Sequence, residues 1–159
     1  MGRTAAGVGA VHLVGDDTVA GFDIVEPGGE LLALTEQGWG KRTPLSEFRT
    51  ASRNTQGVWA LAHDWMDMTG RVAAARVVQP QDQVTIITAG GVALRTPIAT
   101  ISRMGRAARG VRIVNLENGD SVAAMTRLLA QIEQDQRGSG AVTAPAEAAE
   151  TQDLQAASV

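Results

Sequence analysis

The chain contains no cysteine and no tyrosine, and only three Trp and two Phe among its 159 residues. The missing cysteines exclude a disulfide framework, a zinc–thiolate site and a cysteine nucleophile. No apolar run approaches the ~18 residues of a membrane-spanning helix. The N-terminus lacks the charged-then-apolar pattern of a secretion signal, so a cytoplasmic protein without membrane contact is expected. Neither G-x-x-x-x-G-K-[ST] nor G-x-G-x-x-G occurs, which removes the common phosphate-cradling loops. His12 and His63 have no acidic or serine partners at informative spacing and read as structural. Asp16-Asp17 reads as a turn cap rather than a metal site. No catalytic set emerges, and no cofactor is expected in this chain.

What the chain does have is a period of 53 residues. T-E-Q-G-W-G-K-R-T-P at 35–44 returns as T-A-G-G-V-A-L-R-T-P at 88–97. A second motif occurs three times, as M-G-R-T-A-A-G-V at 1–8, S-R-N-T-Q-G-V at 52–58 and M-G-R-A-A-R-G-V at 104–111. Fixed self-similarity of this length marks a repeat architecture. Units of about 1–52, 53–105 and 106–132 follow, or about two and a half repeats, which suggests part of a longer repeat domain. The Ala-, Gln- and Glu-rich stretch 133–159 has almost no large apolar residue and is expected to be a disordered tail.

Within a unit, apolar stretches are bounded by Gly, Asp and Pro. Residues 8–14, 58–62 and 111–116 form one equivalent set, and 19–25 and 72–78 a second. Residues 31–35 and 84–88, then 40–43 and 93–96, complete four short strands per repeat. Four-stranded units repeated radially indicate an all-β, propeller-like fold. Gly38 and Gly90-Gly91 suit tight hairpins that need positive φ. Pro44 and Pro97 end their strands because proline has no N–H to donate. The i, i+3 pairs Leu45/Phe48 and Ile98/Ile101 predict short helical caps. Residues 121–135 have helical propensity, yet the repeat alignment makes the first half a strand, and neighbours in a sheet override propensity.

The net charge of −3 hides segregation. Residues 1–34 carry −4, 35–112 carry +6, and 113–159 carry −5. A basic centre attracts a polyanion even on an acidic chain, because potential is local within a Debye length of about 8–10 Å. Lys41, Arg42, Arg49 and Arg53 cluster at the end of one unit. Arg95, Arg103, Arg106, Arg109 and Arg112 cluster at the matching place in the next. On this pattern all nine are candidate phosphate contacts. The alternative is structural, with Arg42 and Arg95 laying their stems over the blade and pairing with Glu47 or a carbonyl.

G-W-G-K-R-T at 38–43, G-V-A-L-R-T at 91–96 and the three [GS]-R-x-x-x-G-V motifs resemble the C-terminal domain of DNA gyrase A. The resemblance runs in register over residues 1–130. It implies a β-pinwheel, a propeller variant in which blades exchange a strand, with a basic rim that wraps duplex DNA. It also implies partners, the rest of the gyrase A polypeptide and gyrase B, and a role in the ATP-dependent negative supercoiling of the whole enzyme. The family's cleavage chemistry needs a tyrosine, so this chain is expected to have no activity alone. The Q-R-R-G-G-[RK]-G box of the first blade is also absent, so the chain looks like the last two blades, part of a third, and the tail. Leu94 stands where the first unit has Lys41, which weakens that unit's rim. The corresponding domain of topoisomerase IV is an alternative within the same fold. A protein-interaction propeller, with Trp65, Met66 and Met68 as its contact patch, is an alternative from another class. Open blade edges are expected to favour self-association.

Overall fold

A computed structural model describes residues 2–130, so the predicted tail lies outside the described residues. The first clear strands form where the repeat motif begins. β1 (Glu30–Thr35) and β2 (Trp39–Pro44) make an antiparallel hairpin, with Leu32 opposite Arg42. One period later β4 (Gln83–Thr88) and β5 (Ala93–Pro97) make the same hairpin, with Thr85 opposite Arg95.

The T-x-x-G signature has a direct mechanical reading. In each turn the threonine carbonyl accepts the N–H of Gly38 or Gly91, both at positive φ, which glycine reaches without a Cβ clash. The buried threonine hydroxyl then accepts the next N–H along, Trp39 to Thr35 Oγ1 and Val92 to Thr88 Oγ1, each at 3.2 Å. In the second turn the Thr88 side chain and the Gly90 N–H hold the Asp120 carboxyl below its usual range. Both prolines end their strands as expected. The single 3₁₀ turns Leu45–Glu47 and Ile98–Thr100 follow them.

The sheets assemble across repeats. β3 (Val72–Val78) pairs with β1 of the hairpin before it, and β6 (Val111–Arg112) pairs with β2 from further along the chain. β7 (Val122–Leu128) pairs with β4 as β3 pairs with β1. The result is a four-stranded sheet, β3-β1-β2-β6, and a three-stranded sheet, β5-β4-β7. A register shift falls between Leu34 and Thr35 in one sheet and between Ile87 and Thr88 in the other, at equivalent positions. Residues 122–128 are strand, so pairing with β4 overrides their helical propensity.

The core lies between the two sheets and joins Leu32, Leu34, Ala74 and Val78 to Val84, Ile86, Ile98, Val122 and Met125. The two hairpins meet it with opposite faces. β1 supplies Leu32 and Leu34, whereas β4 supplies Val84 and Ile86, whose equivalents one period earlier are Leu31 and Ala33. Front-to-back packing of successive sheets is what a radial array requires.

Three predicted strands are not formed. Residues 8–14, 19–25 and 58–62 form no strand ladder, and only an isolated parallel bridge joins Val11 to Thr55. The reason is visible in β3. Val77 and Val78 are 4% and 0% exposed because β3 lies against the hairpin of the preceding unit. Their equivalents Ile24 and Val25 are 72% and 73% exposed, since no described hairpin covers them. A strand without a hydrogen-bonding neighbour has nothing to hold its register. The short helical segments His63–Trp65 and Met66–Thr69 sit in the longer loop before β3. Among the described residues no helix is long and apolar enough to cross a membrane.

Candidate nucleic-acid interface

The two repeated motifs interlock. Gly40 of G-W-G-K-R-T lies against Gly110 of the later R-G-V motif, where a Cβ on Gly110 would come within 2.7 Å of the Gly40 carbonyl oxygen. Gly110 also has φ 93°. Glycine at 110 allows this approach, and it brings residues 109–112 alongside β2, with Arg112 opposite Trp39.

Lys41 fastens the other end of the motif. Its Nζ donates to the carbonyls of Gly105 and Arg106 at 2.5 and 2.7 Å. The residue is fully buried, and burial pushes its pKa down from 10.5 to about 8. Arg42 is also buried. Its Nε donates to the Ile101 carbonyl at 2.8 Å and its Nη1 pairs with Glu30 at 2.7 Å. The charge pattern puts Lys41 and Arg42 on the rim as phosphate contacts. In the structure both side chains are buried and bonded to acceptors within the protein rather than presented at the surface. Glu30, not Glu47, is the acid that Arg42 finds. Glu47 instead accepts the Arg106 backbone N–H at 2.8 Å.

The remaining candidates divide by what their guanidinium groups touch. Arg103 is exposed along most of its side chain but donates Nε to the other oxygen of Glu30 at 2.6 Å. Arg106 donates to the Trp59 carbonyl at 3.1 Å. Arg95 is exposed and bonds Gln83 at 2.6 Å, repeating the Arg42–Glu30 pairing one period on. Arg49 and Arg53 are exposed on the segment after the first 3₁₀ turn and meet no acceptor among the described residues. Arg109 and Arg112 also meet none, and are placed by aromatic rings instead. The Arg109 guanidinium carbon lies 4.6 Å from the Trp39 ring centre and 4.4 Å from that of Trp65, and Arg112 lies 5.2 Å from Trp39.

Sequence reasoning missed this arginine–tryptophan stack. The signal available was the rarity of tryptophan, with one in the hairpin motif and one in the loop that is longer than its counterpart. Trp65, Met66 and Met68 are partly exposed, but Trp65 is engaged with the basic cluster rather than forming a separate patch. A second ion network also went unseen. Arg127 on β7 pairs with Asp82 and Glu26 at 2.6 Å each, and donates to the Val77 carbonyl at 3.1 Å. It ties three units together and lowers the Glu26 pKa by hydrogen bonding.

Two sheets built from exchanged strands, packed front to back on a 53-residue period, define a propeller-type repeat protein whose basic segment lies where repeats interlock. The profile of the family described as DNA gyrase C-terminal domain, beta-propeller, matches residues 29–60 and 82–128, and the chain belongs to that family. DNA gyrase A of Kosmotoga olearia is 43% identical over 135 residues, covering 84% of this chain and 16% of that protein. The Thermotoga maritima protein of the same name is 37% identical over 118 residues, covering 73% and 14%. The chain thus spans about a sixth or less of the length of these relatives. A solved DNA gyrase A C-terminal domain superposes with a TM-score of 0.56 at 25% identity, over 66% of this chain and 35% of that one. A topoisomerase IV C-terminal domain gives 0.71 at 21% identity, over 86% and 44%, which shows a shared fold alone. With gyrase A relatives at 36–43% identity, the topoisomerase IV alternative is not favoured.

Proposed function

We propose that this chain is a duplex-DNA-binding module of gyrase A, holding DNA by its phosphates without reading bases. In the whole enzyme, with the rest of the gyrase A polypeptide and gyrase B, such binding wraps DNA and supports ATP-dependent negative supercoiling. One observation carries the reading. Arg49, Arg53, Arg109 and Arg112 lie in the basic central segment and meet no hydrogen-bond acceptor among the described residues, so their donors are available to a polyanion. Phosphate contacts of this kind supply affinity that is independent of sequence and falls steeply with salt. The chain has no tyrosine to form a phosphotyrosyl link, so it binds DNA without cleaving it.

The test is a titration with two duplexes of unrelated sequence at several salt concentrations. Equal affinities and a linear fall of log K with log salt are expected. Binding that is absent, salt-insensitive or confined to one sequence overturns the proposal, as does a covalent DNA adduct formed by the purified chain.

A further inference from the structure

Arginine has two ways of being held, and they leave different atoms available. Its guanidinium is flat, with N–H donors in the plane and π faces above and below. Arg42 and Arg127 spend their edges on carboxylates and carbonyls. Arg109 is held differently. Trp39 and Trp65 lie within stacking distance of the guanidinium, at 4.6 and 4.4 Å, and no described residue accepts from its edge. Arg112 adds a second guanidinium over Trp39. We propose that this arginine–tryptophan stack is a preformed site for a nucleic-acid phosphodiester, with Arg109 and Arg112 as its donors and Trp65 as a positioning residue. The inference rests on the DNA-binding reading above and names a site within it.

The parts of the stack are placed independently of any ligand. Trp39 opens β2 with Arg112 as its strand partner. The Gly40–Gly110 contact sets where Arg109 leaves the backbone. The Trp39 indole N–H is buried without an acceptor among the described residues, so stacking rather than hydrogen bonding orients that ring. Trp65 is held through Thr69, whose hydroxyl donates to the Trp65 carbonyl at 3.0 Å and whose own carbonyl accepts from Gln37 in the β1–β2 turn at 3.2 Å. The loop before β3 is thereby pinned to the hairpin that carries Trp39. Asp64 and Asp67 flank Trp65 in the chain, but neither pairs with Arg109 among the described residues. An arginine already ordered by neighbouring rings loses less freedom when its fork meets a phosphate, and the fork matches phosphate geometry where a lysine ammonium does not.

The experiment uses the full chain with Arg109→Ala, Arg109→Lys, Trp65→Ala, Trp65→Phe and the double variant Arg49→Ala/Arg53→Ala, each checked for native far-UV dichroism. Duplex DNA and a poly-glutamate of equal charge are titrated across salt concentrations, with tryptophan emission as a second readout. Arg109→Ala should lower the salt slope of log K by about 0.9. Arg109→Lys and Trp65→Ala keep the charge, so both should keep the slope and weaken DNA binding about five- to tenfold. Trp65→Phe should recover most of that loss. DNA, and not poly-glutamate, should change wild-type tryptophan emission. Wild-type binding by Arg109→Ala and Trp65→Ala overturns the site. If the Arg49/Arg53 variant alone then loses affinity and slope, the DNA-binding reading stands without it. Equal response to poly-glutamate overturns the phosphate assignment. Failure of the wild type to bind duplex removes the parent reading and this site with it.

Discussion

Lys41 shows how far a residue's role departs from its charge. A lysine of the G-W-G-K-R-T motif within a basic cluster reads as a phosphate contact, yet here it closes two carbonyls of another repeat. Replacing it with methionine leaves Gly105 and Arg106 without donors and should cost about 1–2 kcal/mol at neutral pH. The effect depends on pH in a definite direction. The folded pKa is about 8 and the ordinary value 10.5, so between them the unfolded chain binds the extra proton and wild-type stability rises with pH. Urea unfolding of wild type and Lys41→Met should therefore show a gap that widens from neutral pH toward pH 10.5. A constant or narrowing gap contradicts the assignment. Gly110 is equally constrained. A methyl group there meets the Gly40 oxygen at a positive φ, so Gly110→Ala should lower stability by about 2 kcal/mol, measured by thermal unfolding.

Elements were legible wherever the repeat was strict. Both hairpins, their glycine turns, the terminal prolines and the 3₁₀ caps stand where the 53-residue alignment puts them. The strand at 122–128 was legible by alignment alone, against its local propensity. Residues 8–14, 19–25 and 58–62 carry the same pattern and form no ladder, because pattern specifies a face and not a neighbour. Pairing across repeats also creates ties that no local reading shows. Asp82 is 3% exposed and depends on Arg127 from β7. Arg127→Met should cost about 3 kcal/mol by leaving that carboxylate unpaired in the interior. Adding Asp82→Asn should recover part of it, since an amide needs no counter-charge. Equal stability of the single and double variants in chemical denaturation would show that the ion pair is not the source of the cost.

Across the whole molecule, order and charge are both uneven. Packing concentrates between the two sheets, whereas residues 8–25 expose Val19, Phe22, Ile24 and Val25. Amides of β1, β3, β4 and β7 should resist hydrogen exchange, and those of 8–25 should exchange fast. Protection of 19–25 equal to that of 72–78 in the isolated chain would mean that another copy supplies the covering hairpin, the self-association expected from open edges. The acidic end of the chain opposes the basic centre in the same electrostatic terms. Deleting residues 133–159 should tighten DNA binding at low salt and have less effect at high salt, where screening shortens the reach of charge. A deletion without effect at low salt removes the idea that this end competes for the basic surface.

The period, the hairpins with their turns, the all-β class and the family can all be read from the order of residues, because each depends on local backbone chemistry repeated at constant spacing. The basic segment can be located the same way, since charge adds along a chain. Which cations face outward is settled by packing in three dimensions. Lys41 and Arg42 sit in the most recognisable motif of the chain and are buried by a segment some 60 residues away. Arg109 stands out from the other candidates only because Trp39 and Trp65, distant in sequence, close around it. Burial and stacking are properties of neighbours, and the exchange of strands between repeats chooses those neighbours.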